Sequence, residues 1–97
     1  MRLTIAPAAL DDLHSATAFY TARADAQLGQ AFAAEFERVT SLLLNNPKLG
    51  RVFRSNKRRF VMRRFPYNVI YQVAPDELRI IAISHQSRRP GYWAGRK

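Results

Sequence analysis

The apolar residues of this chain change their spacing once, at Asn45-Asn46-Pro47, and that change narrows the folds open to it. Before the break they recur every three or four residues. After it they fall in short runs rich in aromatic and β-branched side chains. Asparagine tolerates left-handed backbone and proline cannot continue a helix, so a helix ends there. Upstream, Leu10, Leu13, Ala16, Thr17 and Tyr20 predict an amphipathic helix from Pro7 to about Ala24, with Asp11 and Asp12 in its early turns. Pro7 suits a first helical position, where its missing N–H is no loss. Asp25 is placed to cap a second helix reaching about Asn46, with Leu28, Phe32, Phe36, Val39 and Leu43 along one stripe. Gly29 weakens that helix by about 1 kcal/mol relative to alanine. Two helices joined so closely must fold back as a hairpin.

Downstream, Phe60–Phe65, Asn68–Val73 and Leu78–Ser84 read as strands, linked through Pro66-Tyr67 and Pro75-Asp76-Glu77. Arg2–Ala6 reads as one more strand ahead of the helices. The strand from Leu78 is apolar on both faces apart from Arg79, so it needs cover on both. The hairpin supplies one cover, and Tyr92 and Trp93 in the tail are candidates for part of the other. Pro90-Gly91 leaves room for no more than a short turn there. Ninety-seven residues make one domain, 1–97, because domains run to roughly 100–150 residues.

Charge divides at the same break. Residues 1–46 carry three basic against five acidic side chains, net −2, and residues 47–97 carry thirteen against two, net +11. A basic half made mostly of arginine attracts polyanions: nucleic acid, ribosomes or an acidic protein. There is no cysteine, so disulfides and thiolate-bound zinc are excluded. His14 and His85 are too sparse for a metal site, no Gly-rich phosphate loop is present, and no cofactor is expected. The N-terminus lacks a signal-peptide stretch and no segment is long and apolar enough for a membrane span, which predicts a cytoplasmic protein with no membrane partner.

Chemistry, if any, concentrates after the last strand. His85 is followed by Arg88, Arg89, Tyr92 and Trp93. A histidine beside arginines can move protons on a phosphodiester whose charge the arginines neutralise. A second basic stretch contains Arg51, Arg54, Lys57, Arg58, Arg59, Arg63 and Arg64. Regular pairing would place Arg58 and Arg64 on one strand face and Arg59 and Arg63 on the other.

Four segments, in order and covering nearly the whole chain, resemble the toxins of the RelE/ParE superfamily, more closely the ParE branch. They are Ile5-Ala6-Pro7-Ala8-Ala9-Leu10-Asp11-Asp12-Leu13, the Pro-x-x-Gly-Arg turn Pro47–Arg51, Pro66-Tyr67-Asn68-Val69-Ile70-Tyr71, and His85-Gln86-Ser87-Arg88-Arg89-Pro90-Gly91-Tyr92-Trp93. The resemblance implies an α+β fold: one strand, a helical hairpin, then a three-stranded antiparallel meander (β-α-α-β-β-β) with a short tail. It implies the toxin of a type II toxin–antitoxin pair, bound as a heterodimer or heterotetramer by a small acidic antitoxin whose C-terminal segment is disordered alone. Arg58, Arg63, Tyr71, Arg79, Ile81 and Ile83 are the expected antitoxin contacts. The preferred activity is inhibition of DNA gyrase, with Arg88, Arg89, Tyr92 and Trp93 toward the target and no catalytic residues. The alternative is a ribosome-dependent messenger RNA endoribonuclease using Arg64, His85, Arg89 and Tyr92, although the tail departs from that register. A free-standing nucleic-acid binder ranks below both, since no groove-reading motif is present.

Overall fold

A computed structural model describes residues 1–54, 56–88 and 91–97. Strand β1 (Arg2–Ile5) leads into α1 (Pro7–Arg23) and α2 (Ala26–Asn45), followed by β2 (Arg51–Arg54), β3 (Lys57–Val61), β4 (Tyr67–Ala74) and β5 (Glu77–His85). The five strands form one sheet in the order β1-β5-β4-β3-β2. β1 runs parallel to β5, pairing Leu3 with Leu78 and Ile5 with Ile80, and the other pairs are antiparallel. The α+β architecture expected from the sequence is therefore present, with one more strand in the meander.

Helix boundaries follow the local signals. Pro7 opens α1, and the Asp25 carboxylate accepts the Leu28 N–H at 2.9 Å to cap α2. Phe32, Phe36, Val39 and Leu43 are buried from α2 as their spacing predicts. The α1 stripe is rotated from the expected one. Ala9 and Ala16 are buried and Leu13 and Tyr20 pack beside them, while Leu10 is 40% exposed. Alanines at the contact let the helix lie close to the sheet. Gly29 serves the same purpose between the helices, since a Cβ there would strike the Thr21 side chain.

The strands differ more. β3 lies earlier than expected, because the chain leaves the sheet at Met62 and turns through Arg64 at φ 72° before β4. The Met62 and Tyr67 N–H groups close that turn onto Tyr67 O and Phe65 O at 2.9 and 2.8 Å. Arg58 is thus on a strand while Arg63 and Arg64 are not, so the anticipated sharing of faces does not arise. Phe32, Phe65, Tyr67 and Tyr20 form an aromatic cluster beneath the helices, with Phe32 and Tyr67 ring centroids 4.9 Å apart. No helix among the described residues is long and apolar enough to cross a membrane.

Candidate functional site

The side of the sheet away from the helices owes its apolar surface to one extra residue in β5. Ile70 pairs with Ala82 and Tyr71 with Ile80, which leaves Ile81 without an opposite residue. A bulge of this kind interrupts the alternation of side chains. Leu78, Ile80 and Ile83 therefore face the helices, while Ile81 and Ala82 join Ile70 on the other side. Trp93 covers them and is 2% exposed. Phe53 of β2 lies beside it, with ring centroids 5.4 Å apart.

Two turns bring the tail back. Ala94 N–H donates to Gly91 O and Arg96 N–H to Trp93 O, both at 2.9 Å. Gly91 adopts φ 81°, which glycine takes without a steric penalty. Arg96 Nη1 then donates to Asp12 Oδ2 at 2.7 Å. The same oxygen accepts the Ile83 N–H at 3.0 Å. One carboxylate on α1 thereby joins helix, central strand and tail.

Between α1 and the tail lies an open cleft of about 260 Å³, walled by Phe19, Tyr67, His85, Arg88 and Tyr92. The Arg88 guanidinium sits 4.3 Å from the Tyr92 ring centroid. His85 meets Tyr67 edge-on at 4.9 Å. Its Nδ1 accepts the Ser87 N–H at 3.0 Å, which places the proton of the neutral ring on Nε2. Burial, and then the neighbouring Tyr20 and Tyr92, push the Tyr67 phenol above its ordinary range, so it stays protonated. Such a cleft can stack, clamp and donate hydrogen bonds. Asp12 Oδ2 and His85 Nδ1 are already engaged within the chain.

A family model described as ParE toxin of type II toxin-antitoxin system, parDE, matches residues 3–90. The chain belongs to the ParE toxin family. This ParE-family protein is accordingly the toxin of a type II pair, with an antitoxin as its partner. A chain of the solved structure described as the chromosomal ParDE TA system from P. aeruginosa shares its fold, with a TM-score of 0.78 at 19% identity over 88% of this chain and 95% of that chain. No curated protein matches it by sequence.

The ParE-family toxin distributes the residues anticipated from its sequence over several places. Arg88 is exposed and Tyr92 half-buried at the cleft, while Trp93 is buried beneath them. Arg89 lies outside the described residues. His85 and Tyr92 share the cleft, but Arg64 lies elsewhere, over the Phe65 ring in a hollow it shares with Glu35, Arg38 and Arg63. The set named for a nuclease is not assembled among the described residues. Arg58 donates to Gly50 O at 2.8 Å and to Lys48 O at 3.2 Å. The Tyr71 hydroxyl donates to Pro47 O and accepts the Gly50 N–H, both at 2.8 Å. Arg79 reaches Thr4 Oγ1 at 3.3 Å. Ile81 and Ile83 are buried within the chain's own packing, on opposite faces of the sheet.

Three participants have no distinct sequence signal for the role they play. Asp12 reads as a residue suited to the helix dipole and as part of the Ile5–Leu13 segment, and Arg96 belongs to no pattern. Phe53 lies in an arginine-rich stretch whose strand β2 has no apolar run to mark it. Val52-Phe53 between two arginines is a short alternation that only its pairing with β3 makes legible.

Proposed function

We propose that this toxin arrests growth in the cytoplasm by binding DNA gyrase through the tail side of the molecule, without chemistry of its own. Family membership across residues 3–90 carries this reading. The cleft supports it, because Asp12 is held by two donors and His85 Nδ1 by Ser87, leaving binding surface in preference to a catalytic pair. Arg88, Arg89 and Tyr92 meet the target, with Trp93 packed behind Tyr92. The antitoxin, an acidic protein with a segment that orders on binding, forms a heterodimer or heterotetramer with the toxin. It engages the accessible members of the expected set, Arg63 and Arg79 foremost, while Tyr71, Ile81 and Ile83 shape that surface from within.

Purified toxin is expected to inhibit gyrase supercoiling and to leave messenger RNA on ribosomes intact. Ribosome-dependent cleavage that disappears with Tyr92→Phe or Arg89→Ala would overturn the reading in favour of the endoribonuclease.

A further inference from the structure

On the tail side of the sheet, next to the Trp93 ring, is a second and smaller cavity of about 80 Å³. It has room for two or three waters, at about 30 Å³ each, or for one compact anion. Phe53, Ile70 and Trp93 form its apolar walls, and Arg59, Arg88 and His85 approach from the polar side. Arg54 of β2 lies outside the lining but beside it, over the same Phe53 ring. Its guanidinium occupies the space that a Cβ on Gly91 would need, 2.7 Å from that position.

These arginines share two properties. None of the three forms an ion pair among the described residues, where the pairs are Arg38 with Glu35 and Arg96 with Asp12. Each also lies over an aromatic ring: Arg59 at 4.9 Å and Arg54 at 5.9 Å from the Phe53 centroid, and Arg88 at 4.3 Å from Tyr92. A ring against the flat face of a guanidinium fixes its plane and leaves the N–H edges for an acceptor. Asn68 adds an amide whose buried Oδ1 has no protein donor. Turned by half a rotation, that amide offers Nδ2 to an anion instead.

We propose that Arg54, Arg59 and Arg88, set around the Phe53–Trp93 platform, form a phosphodiester-binding site on this toxin. A carboxylate is planar and is largely satisfied by one guanidinium fork. Two forks on the cavity, Arg59 and Arg88, with His85 beside them and a third fork, Arg54, next to the Phe53 ring, suit a tetrahedral group with oxygens in several directions. The guanidinium planes lying over Phe53 and Tyr92 extend those rings into a surface on which attached bases can stack. The net charge of +11 on residues 47–97 supplies the long-range attraction that a polyanion feels most strongly.

The test is fluorescence anisotropy of a short labelled oligonucleotide, offered as duplex DNA, single-stranded DNA and single-stranded RNA, with the toxin titrated at several salt concentrations. Arg54→Ala combined with Arg59→Ala is expected to weaken binding about tenfold or more and to lower the salt slope by about 1–2, one for each phosphate no longer neutralised. Arg59→Lys keeps the charge but loses the fork, so affinity falls while the salt slope holds, in a protein that retains its charge and fold. Arg2→Ala with Arg23→Ala removes the same charge from exposed positions on β1 and the end of α1 and is expected to stay within about twofold of wild type. Tighter binding of duplex DNA assigns the phosphate to DNA, and tighter binding of single-stranded RNA assigns it to a transcript. Equal losses from the two double variants would overturn the site in favour of diffuse charge. Poly-glutamate competing as well as the oligonucleotide at equal charge would overturn it in favour of an acidic peptide. No binding by the wild-type protein would overturn it outright. Gyrase takes no part in the measurement, so its failure leaves the gyrase reading intact.

Discussion

The turn Pro47–Arg51 shows how much one side chain can organise. The Tyr71 hydroxyl, deep in the sheet, holds both ends of the turn: it donates to Pro47 O and accepts from Gly50 N–H, each at 2.8 Å. Burial raises the Tyr71 pKa, and the Gly50 hydrogen bond and Arg58 offset this only in part, so the phenol remains a donor at neutral pH. Glycine is required at 50 for space: a Cβ would stand 2.6 Å from the Tyr71 hydroxyl and 3.0 Å from Arg59 O. Gly50→Ala is therefore expected to destabilise the protein by about 1–3 kcal/mol through overpacking. Tyr71→Phe removes two hydrogen bonds and strands a buried N–H, at a cost of about 1–3 kcal/mol. Chemical denaturation would read both. A double variant less destabilised than the sum would show that the glycine and the hydroxyl act together. The Pro-x-x-Gly-Arg pattern was visible in the sequence, but its reason was not, because the residue that explains it is 21 positions away.

Among the elements, the tail carries the clearest division of labour. Trp93 is a core residue delivered by an irregular segment, and its loss is expected to cost about 3–5 kcal/mol. Arg88 is exposed on Tyr92, so Arg88→Ala should leave the melting temperature close to wild type while reducing toxicity in a growth assay. If Arg88→Ala melts early and Trp93→Ala does not, the two roles are reversed. Asp12→Asn should resemble a mild form of the tryptophan loss, since the pair with Arg96 is partly exposed. The helices were legible from spacing, capping and the proline at position 7, all of which act within a few residues. The sheet was legible in its central strands, β4 and β5, where apolar content is high. Its edge was harder: five of the seven residues in Arg51–Arg54 and Lys57–Arg59 are cationic, and cross-strand pairing, with Arg58 opposite Tyr71 and Arg59 opposite Ile70, makes them strands. The cavity beside Trp93 was least legible, because it draws on β2, β3, β4, β5 and the tail at once.

In the molecule as a whole, sixteen basic side chains face seven acidic ones, and Glu35 shows what one of those few carboxylates does. Glu35 ties α2 to the turn before β4: it pairs with Arg38 at 2.7 Å and accepts the Arg63 N–H at 2.7 Å. The Arg38 hydrogen bond, aided by Arg63 and opposed by partial burial, holds the Glu35 carboxyl below the usual glutamate range. A carboxyl depressed in the folded state adds stability that is fully present above its unfolded pKa and is lost as pH falls through the folded one. Glu35→Gln is therefore expected to lower stability at neutral pH by up to about 1 kcal/mol. The deficit should shrink as pH falls into the carboxylate range, where the wild-type protein loses the same contribution. Melting curves across that range check the prediction, and a deficit that is constant with pH would count against it.

The pairing of β1 with β5 has a consequence for the order of events during synthesis. Residues 2–5 are made well before residues 77–85, their partner strand in the sheet, so the sheet cannot close at that edge until β5 has left the ribosome. The helical hairpin, which depends on near neighbours, can form earlier, whereas pairings between distant segments come late. Trp93 and Arg96 follow later still, and with them the surface on which toxicity is proposed to depend. On that proposal a nascent chain acquires its toxic surface only once the tail has been made, and an antitoxin already present has the preceding interval in which to be waiting.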